Sequence, residues 1–194
     1  ERLQGDVYRI LYVHVPCAVA AGVTVFILFV TSVMSLVQKD KSKPINFARA
    51  SAEVSLTLTV LTLITGAIWG KPTWGTWWTW DARLTTTLLL AILLAGYLLL
   101  WSSVESIQQR NRACGVLGVL IFLDVPVIYK SVTWWRTLHQ PPSIFRSGGA
   151  AISPEILYPL MVTTLLMLFV TLWIMWRRAA ILKLQQRLED EIYS

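Results

Sequence analysis

The 194-residue chain is short of charge: Asp, Glu, Lys and Arg make up 14% of it, while 55% is hydrophobic. A soluble domain carries about 25% charged residues. The shortage excludes an ordinary water-soluble fold and implies an integral membrane protein of a single domain. Cysteine and histidine are scarce too, with two of each. Cys17 and Cys114 fall near the starts of separate apolar runs, which the topology below places at opposite membrane faces, about 30 Å apart. A disulfide needs Cα atoms within about 7 Å, so no internal disulfide is expected. Two histidines and two separated cysteines make no four-ligand zinc set. There is no Gly-rich phosphate loop or Walker motif, so the chain is not expected to bind ATP itself. No local Ser-His-acid motif is present, and no catalytic activity of the chain's own is expected. The start lacks the basic and short apolar regions of a signal peptide.

Long apolar runs, by contrast, are plentiful. They cover residues 10–37, 54–69, 84–101, 115–129 and 156–176. A helix needs about 17–25 residues to cross hydrocarbon, and backbone inside lipid must satisfy its own hydrogen bonds. The expected fold is therefore all-α, with five transmembrane helices. Ten of the seventeen basic residues lie in three segments on one side: Lys39, Lys41, Lys43 and Arg49; Arg110 and Arg112; Arg177, Arg178, Lys183 and Arg187. The positive-inside rule makes that side cytoplasmic. The N-terminus then lies outside, as do the loops 70–83 and 130–155, in a bacterial periplasm or its equivalent. An outside start at Glu1 leads us to expect an earlier span before it. The net charge of +6 speaks for anionic lipid and topology, not nucleic acid.

Tryptophan is abundant, and four of the ten indoles fall within seven residues, in Trp74-Gly75-Thr76-Trp77-Trp78-Thr79-Trp80-Asp81. This stretch lies between two apolar runs and so belongs at the ends of helices. It reads either as an aromatic belt at headgroup level or as a platform for a large planar ligand. A short interfacial helix or turn after Pro72 would put Trp74, Trp77, Trp78 and Asp81 on one face, with Trp80 toward lipid or a partner. Asp81 suits the N-cap of the following helix. Asp124 lies inside an apolar run, where an acid marks function unless it pairs across the bundle or with Lys130. Residues Ile181, Leu184, Leu188 and Ile192 give the tail 177–194 the pattern of a short amphipathic cytoplasmic helix.

His14 lies about a turn into the outer end of the first span, and His139 in the outer loop with Trp134, Trp135 and Arg136. Singly, each histidine reads most simply as a hydrogen-bonded interface residue. Together with the tryptophans they share one membrane face. Two neutral imidazoles can supply both axial ligands of a haem iron. Indole faces suit the porphyrin, and Arg83, Arg136 and Arg146 can pair its propionates. The absence of Cys-x-x-Cys-His excludes covalent attachment by that route.

These residues resemble the haem exporter protein C (CcmC) family of cytochrome c maturation. The stretch Trp74–Asp81, with Ala82-Arg83-Leu84-Thr85 behind it, is similar to the tryptophan-rich WWD signature of haem-handling proteins. Tyr12-Val13-His14-Val15-Pro16 and Trp134-Trp135-Arg136-Thr137-Leu138-His139-Gln140 resemble the family's two histidine segments. Three motifs in order cover most of the chain. Asp124, Lys130 and Pro141-Pro142 depart from the family pattern. The resemblance implies six spans, a bacterial inner-membrane location and non-covalent haem b at the periplasmic face. It implies His14 and His139 as axial ligands, with Trp74, Trp77, Trp78, Trp80, Asp81, Arg83, Trp134, Trp135 and Arg136 about the cofactor. It also implies partners in an ABC-type complex: the ATPase (CcmA), a larger membrane partner (CcmB), a small membrane partner (CcmD) and the haem chaperone protein E (CcmE), to which haem is presented. The rival readings are a b-type redox cytochrome and a structural permease subunit without haem.

Overall fold

The computed structural model describes residues 5–38, 42–139 and 152–193. A 3-10 helix, Gly5–Ile10, leads into α1, Leu11–Val37. There follow α2, Ser42–Trp74; α3, Ala82–Ser103; α4, Ile107–Phe122; α5, Asp124–Trp134; and α6, Pro154–Tyr193. All regular structure among the described residues is helical, and five stretches are long and apolar enough to cross a membrane. One of these is α4 and α5 together, Ile107–Trp134. The break between them at Leu123 follows from Pro126. Its ring lacks an N–H and crowds the carbonyl four residues back, that of Phe122, where α4 ends.

The helices outrun the apolar runs. α2 begins at Ser42, with Pro44 in a first turn that needs no donor there. Residues 42–53 therefore extend the span, and Ile45, Ala48 and Ala52 are buried in the main core. α6 continues through Tyr193, so the tail is not a separate helix. Residues 160–193 contain no glycine or proline to end it. At 1.5 Å per residue, α6 is about 60 Å long, twice a hydrocarbon core. Met175, Ala179 and Leu182 pack on Ala50, while Ile181, Leu184, Leu188 and Ile192 are exposed.

Small residues set the packing. α1 runs along α2 and also meets α4 and α6. Between α1 and α2, the Ser55 hydroxyl donates to Thr24 Oγ1 at 2.7 Å, fully buried. α4 approaches α1 through Gly115 and Gly118. A Cβ at Gly118 would overlap Ser32 Oγ, the close approach that small residues permit between membrane helices. Glu53 on α2 takes two hydrogen bonds from Arg178 on α6, at 2.5 and 3.0 Å, and one from Arg49 at 3.1 Å. This clamp lies at the basic end of the bundle, opposite the tryptophan-rich segment.

Cys17 and Cys114 are buried free thiols in different core clusters. Asp124 is buried and its Oδ2 has no hydrogen-bond partner among the described residues, while Lys130 is exposed. The Lys130 pairing is thus not formed. Lys39, Lys41, Arg146, Pro141 and Pro142 lie outside the described residues.

Candidate functional site: two histidines and a tryptophan-rich clasp

The N-terminal end of α1 meets the C-terminal end of α2. His14, on the fourth residue of α1, faces α2, and its Nδ1 lies 3.0 Å from Thr65 Oγ1. The Thr65 hydroxyl donates to its own helix, to the Leu61 carbonyl at 2.7 Å. The ring lies over Gly66, where a Cβ would stand 3.1 Å from His14 Cε1. One turn on, the Trp69 indole meets the imidazole edge to face, with centroids 5.9 Å apart. Tyr8 also packs edge-on against Trp69, with centroids 6.4 Å apart. A further turn along α2, the Trp74 ring covers Gly70, whose absent Cβ would be 3.1 Å away.

α2 stops there. Gly75 has φ +79° and its N–H donates to the Lys71 carbonyl at 3.0 Å. This is a left-handed glycine cap, and only glycine adopts it without a Cβ penalty. The segment from Gly75 to Asp81 is not helical: of the expected interfacial helix or turn after Pro72, the separate helix is absent, because α2 itself runs through Pro72 to Trp74, and the chain turns at Gly75. Trp74, Trp77, Trp78 and Asp81 consequently do not form one helical face. Trp78 and Trp80 instead pack edge to face at 5.5 Å. Trp77 is 58% exposed and Trp80 76% exposed.

Asp81 caps α3, accepting the Leu84 N–H on Oδ1 at 2.8 Å. Its Oδ2 accepts the Leu138 N–H at 3.2 Å, which ties the tryptophan-rich segment to the stretch after α5. There the Thr137 hydroxyl oxygen lies 3.2 Å from the His139 N–H that donates to it. The His139 ring sits 6.3 Å from Trp74, at 57°. Arg83 is in electrostatic reach of Asp81, Tyr129 and His14, and His139 is in reach of His14. Beside this group opens a cleft of about 420 Å³, lined by Trp80, Asp81, Ala82, Thr85, Thr86, Trp135 and Arg136. Trp134 packs on Trp135 at 5.7 Å.

Of the residues picked out in the sequence, His14, His139, Trp74, Asp81 and Arg83 come together. Trp80, Trp135 and Arg136 line the adjoining cleft, Trp134 and Trp78 buttress it, and Trp77 stands apart toward the exterior. Thr65, Gly66 and Trp69 escaped the sequence reading. Their one signal is a shared face of α2 at the depth of His14, and Thr and Gly are too common in apolar helices for that to stand out.

The elements define a polytopic helical membrane protein with two histidines and several indoles gathered at one end of its bundle. The sequence model of the family described as Heme exporter protein C matches residues 1–192. The chain is 38% identical over 188 residues to Heme exporter protein C of Bradyrhizobium diazoefficiens, covering 95% of this chain and 70% of that protein. It is 37% identical over 186 residues to Heme exporter protein C of Escherichia coli K12, covering 95% and 74%. A putative cytochrome c biosynthesis ccmC-like mitochondrial protein of Marchantia polymorpha is 37% identical over 148 residues, 75% of this chain and 60% of that one. The chain belongs to the Heme exporter protein C family.

Proposed function

We propose that this protein binds haem b non-covalently at the His14 end of the bundle and presents it to a haem chaperone that takes it up covalently. The observation that carries the reading is that His14 and His139 lie within electrostatic reach of one another at one end of the bundle, with the Trp74 ring 6.3 Å from the second imidazole. An iron whose equatorial positions are filled by a porphyrin needs only two axial donors, and two imidazoles supply them. Trp74 and Trp78 offer apolar ring surface to the macrocycle. Arg83 and Arg136 offer guanidinium groups that would pair carboxylates such as the propionates. The donor set therefore fits the cargo.

The histidines hold and orient the haem, and the indoles exclude water from one part of it. The open cleft at Trp80, Trp135 and Arg136 leaves an edge accessible to a second protein. Family membership supports a place in a haem export complex with the ATPase CcmA, the membrane proteins CcmB and CcmD, and the chaperone CcmE. In that scheme ATP hydrolysis by CcmA releases the loaded chaperone. The excess of basic residues at the far end supports an orientation with the haem site on the outer, periplasmic face, and family membership supports a bacterial inner membrane.

The test is reconstitution of the chain with its partner proteins, haem and the chaperone. Haem appearing covalently on the chaperone, and failing to do so with His14→Ala, supports presentation. Equal transfer by wild type and His14→Ala overturns it.

A further inference from the structure

A neutral imidazole has one N–H and one lone pair, and only the lone-pair nitrogen can bind a metal. Which nitrogen of His14 is which follows from a neighbour. Thr65 Oγ1 lies 2.7 Å from the Leu61 carbonyl oxygen and 3.2 Å from that of Thr62. Neither carbonyl can donate. Two oxygens at 2.7 Å with no hydrogen between them would repel, so the single hydroxyl proton is directed into the helix, as threonine commonly does. The same oxygen is 3.0 Å from His14 Nδ1. The hydrogen of that contact must then come from the ring, which makes Nδ1 the protonated nitrogen and leaves the lone pair on Nε2.

We propose that Thr65 is the positioning residue of the site: it holds His14 as the Nδ1–H tautomer, with Nε2 as the donor to iron. The inference rests on the haem-binding reading. Metal-bound histidines are generally fixed in this way, through an acceptor on the far nitrogen that sets the tautomer and raises ligand basicity. Gly66 and Trp69 complete the socket. Gly66 leaves room for the ring edge, since a Cβ there would stand only 3.1 Å from Cε1 and the ring would have to give way by a few tenths of an ångström, and Trp69 closes on it from one turn further along α2. Thr65, Gly66 and Trp69 therefore fix hydrogen bond, depth and tilt from one helix.

The test begins without haem. The chain has two histidines, so His139→Gln leaves one ring to observe by 15N NMR of histidine-labelled protein in nanodiscs. The expected result is a protonated Nδ1 on His14, loss of that preference in Thr65→Val, and its retention in Thr65→Ser. With haem, on the His139-containing protein, Thr65→Val should bind about 10-fold more weakly, with an upward shift in reduction potential, and Thr65→Ser should behave as wild type. Gly66→Ala, which keeps the hydrogen bond but displaces the ring, should change the low-spin EPR signature. A protonated Nε2 in the haem-free wild-type ring overturns the proposal, as does a Thr65→Val protein with unchanged tautomer or unchanged haem affinity. Failure of the haem reading shows itself separately, as wild-type haem binding by His14→Ala with the tautomer result intact.

Discussion

Asp81 joins two distant parts of the chain: one carboxylate oxygen caps α3 at the Leu84 N–H, and the other takes the Leu138 N–H beside His139. The acid that closes the tryptophan-rich motif thus does its work through backbone amides. Both bonds are to donors, so they require two acceptor oxygens, which only a carboxylate supplies.

Asp81→Asn has a single acceptor oxygen and can satisfy one amide only, its NH2 facing the other. We expect it to keep the cap and lose the Leu138 tie. Thermal stability should stay near wild type while bound haem falls. Asp81→Ala loses both bonds and should cost about 1 kcal/mol through the cap alone. Unfolding curves and haem stoichiometry on the same preparations check both outcomes.

Gly118 predicts a packing failure. Its missing Cβ would overlap Ser32 Oγ, so Gly118→Leu should separate α1 from α4 at a cost of about 1–3 kcal/mol. Ser32→Ala should be tolerated, because the Ser32 hydroxyl is buried without a partner among the described residues and its removal leaves no group unsatisfied. Unfolding of the purified protein in mixed detergent measures both.

The Glu53 clamp is partly exposed, with 24% of the glutamate side chain and 33% of the Arg178 side chain accessible. Surface pairs contribute at most about 1 kcal/mol, though Arg178 engages both carboxylate oxygens. Glu53→Gln should therefore lower stability by about 1 kcal/mol or less, and the wild-type advantage should shrink with added salt. An undiminished difference at high salt would show that packing, not charge, links α2 to α6 there.

Much of this architecture is written in the sequence. The apolar runs carry the five spanning stretches because hydrocarbon admits little else, and the motif around Trp74–Asp81 carries the family. The N-cap at Asp81 was legible because a short acid before an apolar run has few other uses. The path of the tryptophan-rich segment was not. Helical periodicity would align Trp74, Trp77, Trp78 and Asp81, but the left-handed Gly75 ends α2 within the motif. The extent of α6 was hidden by composition: its charged half reads as a separate segment, yet nothing in it interrupts a helix. Thr65 was invisible because its role depends on a contact between two helices, which spacing along one of them does not encode.

The central claim is that His14 and His139 both bind the iron. Absorption and EPR spectra of the haem-loaded wild-type protein, His14→Ala and His139→Ala test it most directly. The account predicts a low-spin, six-coordinate haem in wild type, and loss of that signature with reduced haem content in each variant. Wild-type spectra and haem content in both variants would contradict it.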